Sequence, residues 1–247
     1  MKKKNSDYLE DAFLGTAHRG LHNENYTENG LKAFENAINH NLAFELDIHL
    51  TKDNELIVCH DSNLLRTTGK EGIIELLTLK EIKDSYRLLD GGEIPALQEV
   101  LDLNKEKVII FIELKTYENN WKNFARKAKE TLKQIKNPRK IVIISFDYKA
   151  LKKMGHRYKR QLLLCKDNWW TWKYRYHFNG IDIDYHLAQN KEVQNYRNHG
   201  HVVNVWTINN EKTLKEISEY VDMITFQNFD EKIVKEDRKK YLENGTY

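Results

Sequence analysis

Eight short runs of apolar and β-branched residues recur along this chain with helical stretches between them, and no other feature restricts its fold as far. The candidate strands are Ala12–Ala17, Phe44–Leu50, Val108–Leu114, Ile141–Phe146, Gln161–Cys165, Ile181–Tyr185, Val202–Ile208 and Met223–Phe226. Val108–Leu114 is nearly continuous in apolar residues, as a strand covered on both faces would be. Gly30–His40 reads as a helix with Leu31, Phe34, Ala37 and Ile38 on one face. Trp121–Lys136, Tyr148–Met154, Lys191–Asn198 and Glu211–Tyr220 supply further helices. Strands alternating with helices predict parallel pairing, and eight such units predict a closed (β/α)8 TIM barrel. All 247 residues, 1–247, read as one such domain.

One interval breaks the rhythm. An insertion of about residues 51–103, Thr51 to Leu103, follows the second strand. Lys52-Asp53-Asn54 is turn chemistry, Glu55–Cys59 reads as an added strand, and Pro95 starts a short helix ending near Leu103. Long insertions on the C-terminal face of such barrels usually serve the site. The highly charged stretch Glu231–Asn244 reads as an exposed helix or a frayed tail.

The chemistry collects at strand ends. In Phe44-Glu45-Leu46-Asp47-Ile48-His49 apolar and acidic residues alternate, which puts both carboxylates on one side of the strand. Two such groups repel and need a metal ion, a cationic partner or a shared proton. A short turn brings His60-Asp61 within reach, and His18-Arg19-Gly20 ends the first strand. Glu113 and Lys115 end the third, and Trp206 lies near the end of the seventh. In a parallel barrel these positions share one rim. Glu45, Asp47 and Glu113 would offer oxygens to one hard divalent cation, Mg²⁺ or Ca²⁺, and no cysteine- or histidine-rich zinc set is present. Equally, the carboxylates could pair with Arg19 and Lys115 without a metal. The combination suggests metal-assisted chemistry on a phosphate.

These residues fall into an ordered series: His18-Arg19-Gly20, Glu28-Asn29, Glu45-Leu46-Asp47, Leu50-Thr51-Lys52-Asp53, His60-Asp61, Leu65-Arg66-Thr67-Thr68-Gly69, Ile94-Pro95-Ala96-Leu97-Gln98-Glu99-Val100, Ile112-Glu113-Leu114-Lys115, Ser145-Phe146 and Val205-Trp206-Thr207-Ile208-Asn209. With it the chain resembles the glycerophosphodiester phosphodiesterase family over nearly its whole length. The resemblance implies hydrolysis of a small glycerophosphodiester to glycerol 3-phosphate and an alcohol. By position it implies that His18 and His60 are the general acid–base pair, that Glu45, Asp47 and Glu113 bind the metal, and that Arg19 and Lys115 hold the phosphate. The nucleophile it implies is the neighbouring glycerol hydroxyl, giving a cyclic phosphate that water opens. Trp206 would wall the glycerol carbons or be plain core, Arg66 and Glu99 would organise the insertion, and Asn29 would hold His18, sit near the metal or cap a helix. Two departures stand out. Gly30 replaces a threonine, and Thr225-Phe226-Gln227-Asn228 replaces a threonine-aspartate-proline pattern, which would alter the pocket floor or substrate choice. Rival readings are a lysophospholipase D acting on lysolipids and a barrel that only binds phosphodiesters.

Trp169-Trp170-Thr171-Trp172-Lys173-Tyr174-Arg175-Tyr176 has three readings: a wall for the alcohol group, a patch meeting membrane or lysolipid through Trp169, Trp170 and Trp172, or a short helix packed on the barrel. A net charge of +3 without a concentrated basic face argues against nucleic acid. Cys59 and Cys165 form no ligand pattern and read as reduced thiols. Met1-Lys2-Lys3-Lys4 runs into Asn5-Ser6-Asp7 rather than an apolar stretch, so the expected location is cytoplasmic.

Overall fold

Strands that are apolar on both faces must be covered twice, and a closed ring wrapped in helices does this without leaving an edge. The computed structural model, which describes residues 8–243, has that form. Met1–Lys4 and Asn244 lie outside the described residues. The strands are β1 (Thr16–Ala17), β2 (Ala43–Leu50), β3 (Leu56–Val58), β4 (Ile110–Leu114), β5 (Ile141–Ser145), β6 (Lys159–Leu164), β7 (Gly180–Asp184), β8 (Val202–Ile208) and β9 (Met223–Phe226). All except β3 run parallel in the order β1-β9-β8-β7-β6-β5-β4-β2, and β1 pairs with β2 to close the (β/α)8 barrel. The helices are α1 (Leu31–Asn39), α2 (Leu65–Thr68), α3 (Leu79–Ser85), α4 (Leu97–Asn104), α5 (Trp121–Thr131), α6 (Tyr148–Lys153), α7 (Lys191–Asn198), α8 (Glu211–Ile217) and α9 (Glu231–Glu243). Among the described residues, no helix is long and apolar enough to cross a membrane.

Alternation along each strand divides the core in two. In β2, Phe44, Leu46 and Ile48 join Phe34 and Ala37 of α1 between barrel and helices, with the Phe34 and Phe44 rings stacked at 4.8 Å. Each such side chain contributes about 1.5–3 kcal/mol on burial. The other column faces inward, where Ala43, Phe111, Val142, Leu163, Val202 and Met223 pack with Tyr8, Ala12 and Phe13 at the barrel base. Further along, the inward column turns polar, with Glu45, Asp47, Glu113, Asp182, Asn204 and Thr225 all buried. The site begins where the apolar filling stops.

Several elements depart from the sequence reading. Ala12 and Phe13 are not strand; Glu10–Phe13 is a 3₁₀ turn whose Ala12 and Phe13 plug the base. The chain reverses at Gly15, φ +108°, where a Cβ would lie 2.7 Å from Val234, so only Thr16–Ala17 enters the ring. The charged C-terminal stretch is a helix, as one of its two readings had it, but not a wholly exposed one. As α9 it buries Val234, Arg238 and Tyr241, with Arg238 0% exposed. The added segment holds its own small core of Ile57, Cys59, Leu64, Ile74, Ile82, Tyr86, Leu88 and Ile94. By contrast, Leu97, Val100 and Leu101 of α4 join the main core, so α4 is the barrel's own crossover helix. Finally, Trp121–Lys136 is α5 followed by a 3₁₀ turn, Leu132–Gln134.

The aromatic segment is the crossover from β6 to β7, a 3₁₀ helix over Trp169–His177. Trp169 stacks on Trp172 at 4.7 Å, Trp172 meets Tyr196 of α7 edge-on at 5.7 Å, and Tyr174 stacks on Tyr148 of α6 at 4.1 Å. Wide rings thus cover two strands that a longer helix would otherwise cover. Trp170 remains 62% exposed.

Candidate active site

The turn after β1 is built by backbone constraints. Gly20 has φ +81°, and a Cβ there would lie 2.9 Å from the backbone of Ala33, so α1 can approach only a glycine. Arg19 is itself left-handed, φ 55°. Its amide N–H donates to Glu45 Oε2 at 2.9 Å, and the Gly20 N–H donates to the Glu45 carbonyl at 3.2 Å. Strain of this kind persists where surrounding contacts over-determine it.

The β2–β4 register sets Asp47 beside Glu113. One oxygen from each of Glu45, Asp47 and Glu113 lies within 4.8 Å of the others. Lys115 Nζ is 3.1 Å from Asp47 Oδ1 and 2.7 Å from Glu113 Oε1, and Arg19 Nε is 3.4 Å from Asp47 Oδ2. Asn29 donates to Asp47 Oδ2 at 2.9 Å; it therefore braces the acidic cluster, and Gly30 takes the helix-cap position. Burial and then the neighbouring carboxylates push Glu45 well above the usual range. Burial also raises Glu113, to about 7, against the pull of Lys115. At Asp47 the effect of burial is outweighed by Lys115 and Arg19, which hold it low. The cations therefore do pair with the cluster, yet Glu45 Oε1 stays buried without a hydrogen-bond partner. An all-oxygen donor set with an unmatched buried oxygen fits a hard divalent cation.

The histidines flank this cluster. His60 donates from Nδ1 to Asp61 Oδ1 at 2.6 Å. Arg66 donates to Asp61 Oδ2 and to both oxygens of Glu28, and Arg19 donates to Glu28 at 2.7 Å. Arg66 thus organises the added segment while tying His60 to Arg19. Glu99 accepts from the Ala96 N–H and pairs with Lys83, away from the site. His18 lies with Nδ1 2.6 Å from Gln227 Oε1 and Nε2 3.9 Å from Glu45 Oε2. Burial, then the nearby Arg19 charge, pushes His18 down to about 4. Burial also lowers His60, partly offset by Asp47. His18, Arg19, Glu45, His60, Glu113, Lys115 and Trp206 all line one cavity of about 120 Å³, whereas Asp47 is fully buried and does not line it. Trp206 meets Phe146 edge-on at 5.7 Å on the apolar side.

Residues 18–231 match the glycerophosphoryl diester phosphodiesterase family. The chain belongs to that family. A glycerophosphodiester phosphodiesterase of Bacillus altitudinis is 35% identical over 144 residues, covering 55% of this chain and 58% of the relative. One of Caldanaerobacter subterraneus is 35% identical over 161 residues, covering 61% and 66%. The chain thus spans less than two thirds of the length of either relative. The crystal structure of a glycerophosphodiester phosphodiesterase from Parabacteroides distasonis is 27% identical with a TM-score of 0.75, covering 94% of this chain and 97% of that one.

For this member of the glycerophosphoryl diester phosphodiesterase family, the site holds three residues to which sequence reasoning attached no role. Asp182 lines the cavity at 1% exposure, and its Oδ1 has no hydrogen-bond partner. Burial, then Glu113, raises its carboxyl well above the usual range. Its signal was readable, since Ile181-Asp182-Ile183 repeats the apolar–acidic alternation around Glu45. His49 sits between Glu75 Oε1 at 2.7 Å and the His60 carbonyl at 3.0 Å, bracing the loop that carries His60. Gln227 contacts His18 beside the cavity; of the altered last-strand pattern, only Thr225 lines the pocket. Cys59 is buried, and burial pushes its thiol up to about 11, so it is not a reactive thiolate at neutral pH.

The Glu28 link has an acid signature. Burial would raise Glu28, but hydrogen bonds from Arg66 and the charge of Arg19 outweigh it and bring the carboxyl down to about 2 from 4.5. A depressed folded-state pKa contributes stability that is complete above the unfolded value and lost as pH falls through the folded one. Glu28→Gln is therefore expected to flatten the stability–pH curve between about 4.5 and 2, measured by urea unfolding at stepped pH. An unchanged slope in that window would show that the link carries no net stability.

Proposed function

We propose that this chain hydrolyses glycerophosphodiesters to glycerol 3-phosphate and an alcohol, with His18 and His60 as the general acid–base pair. The observation that carries the reading is a single cavity in which both imidazoles flank a buried three-carboxylate cluster beside Arg19 and Lys115. The names of the relatives support the reaction class. Glu45, Asp47 and Glu113 would hold one divalent cation, Mg²⁺ or Ca²⁺. When bound, it would offset charge on the phosphoryl oxygens.

The chain's own groups do the rest. Arg19 and Lys115 hold the phosphate and stabilise charge that develops on it. Trp206 and Phe146 form a wall for the glycerol carbons. Neutral His18 takes the proton from the glycerol hydroxyl next to the ester as its oxygen attacks phosphorus. His60, oriented by Asp61, passes a proton to the departing alkoxide. Water then opens the cyclic phosphate, with the two histidines exchanging roles. A lysolipid substrate is the second reading. Trp169 and Trp172 are occupied in packing, so of the three tryptophans Trp170 is the one exposed to a lipid surface, with Tyr176 exposed in the same segment.

The test is release of glycerol 3-phosphate from glycerophosphocholine and glycerophosphoethanolamine with Mg²⁺, with Ca²⁺ and with EDTA. Release in metal, lost in EDTA and restored by excess cation, is the expected result. Turnover of lysophosphatidylcholine alone would transfer the assignment to the lysolipid reading. Binding without turnover of any diester would leave a phosphodiester-binding barrel.

A further inference from the structure

We infer that the His18 ring keeps a proton on Nδ1, held there by a line of amides anchored at the Thr207 carbonyl, with Gln227 as the positioning residue. The Thr207 carbonyl can only accept. Asn209 Nδ2 lies 3.0 Å from the Thr207 carbonyl oxygen, so Asn209 must turn its NH₂ there and its Oδ1 away. That Oδ1 lies 2.9 Å from Gln227 Nε2, which fixes the Gln227 amide in turn. Gln227 Oε1 is then directed at His18 Nδ1, 2.6 Å away. An amide oxygen has no proton to give, so the ring nitrogen must donate. The second contact on the same oxygen, His22 Nε2 at 3.4 Å, uses its other lone pair.

Backbone bonds hold both ends of the line. The Gln227 N–H donates to the Ile208 carbonyl at 3.0 Å, and the His18 N–H donates to the Phe226 carbonyl at 2.9 Å. With the proton on Nδ1, the bare nitrogen is Nε2, which faces Glu45 on the cavity side. The residue after β9 thus decides which His18 nitrogen can accept a proton. The catalytic consequence rests on the role proposed above for His18, whereas the tautomer itself does not.

The test reads the tautomer by long-range ¹H–¹⁵N correlation of the full chain with ¹⁵N-labelled histidine at neutral pH, His18 being assigned by its loss in His18→Gln. In the wild type, His18 Nδ1 is expected to carry the proton and Nε2 to be bare. Gln227→Met removes the acceptor, and the signal is expected to move toward the Nε2–H form. Asn209→Ala, which frees the Gln227 amide to turn, is expected to give a mixture. Asn209→Asp keeps an acceptor facing Gln227 and is expected to retain the Nδ1–H form. In turnover, kcat for Gln227→Met should fall about tenfold, with KM within about twofold, as for loss of part of a general base's contribution. A wild-type ring protonated at Nε2, or a Gln227→Met ring unchanged from wild type, overturns the inference. If Gln227→Met does not fold, the Asn209 pair decides it: identical tautomers in Asn209→Ala and wild type overturn it. A wild-type protein with the expected tautomer but no diesterase activity would refute the proposed function and leave the amide line standing.

Discussion

Alanine at His18 or at His60 is expected to lower kcat/KM for a glycerophosphodiester by about 10³-fold, the usual scale for a positioned general acid or base. The effect should fall mainly on kcat, because the imidazoles move protons while Arg19, Lys115 and the acidic cluster hold the phosphate. The double variant should lose little beyond either single one, since the two groups act as a unit and such effects are strongly non-additive. Cation affinity, measured by titration calorimetry with Mg²⁺ or Ca²⁺, should stay near wild type. Neither ring holds a Glu45, Asp47 or Glu113 oxygen in a hydrogen bond; the nearest approach is His18 Nε2 at 3.9 Å from Glu45 Oε2. Either single variant keeping activity within tenfold of wild type would remove that histidine from the chemistry. Loss of cation binding together with activity would recast it as a structural support of the cluster.

Arg238→Met is expected to destabilise the protein by about 3–5 kcal/mol, the scale of leaving several buried polar groups unpaired. The guanidinium is 0% exposed and donates to the carbonyls of Phe13, Ser218, Val221 and Asp222, as well as to Ser218 Oγ. It also lies 3.9 Å from the Tyr241 ring centroid. One side chain thereby joins the 3₁₀ turn before β1, the end of α8 and the entry to β9, and methionine can replace only its packing. Arg238→Lys should recover little, because an ammonium cannot reach that spread of carbonyls. Urea unfolding with an unchanged m-value and a lowered midpoint is the measurement. A loss under about 1 kcal/mol would mean that water satisfies these carbonyls when the guanidinium is gone.

Both predictions concern groups whose roles were unequally legible. The barrel was readable because alternation and helical period are local properties, and β8 and β9 fall where their apolar runs end. His18, Glu45, Asp47, His60 and Glu113 were legible because they follow one another in an ordered series, with Glu45 and Asp47 alternating with apolar residues inside β2 and the others at or beside strand ends. Asp182 carries the same local signal. Ala12–Phe13 misled because an apolar run cannot reveal that Gly15 turns the chain after it. In α9 the abundance of charge hides a face at helical spacing, Val234, Arg238 and Tyr241, and no residue type on that face says that an arginine will be buried with it. Its burial depends on carbonyls brought from Phe13, 225 residues away in sequence.

Local patterning sets the architecture, the face each carboxylate occupies and the residue types available for chemistry, because period-two and helical patterns act between near neighbours. Which of those groups meet depends on long-range contacts. The β2–β4 register sets Asp47 beside Glu113, and barrel closure carries Gln227 to His18 across 209 residues. Register and closure depend on packing and hydrogen bonds summed over the whole ring, which no local stretch of sequence contains.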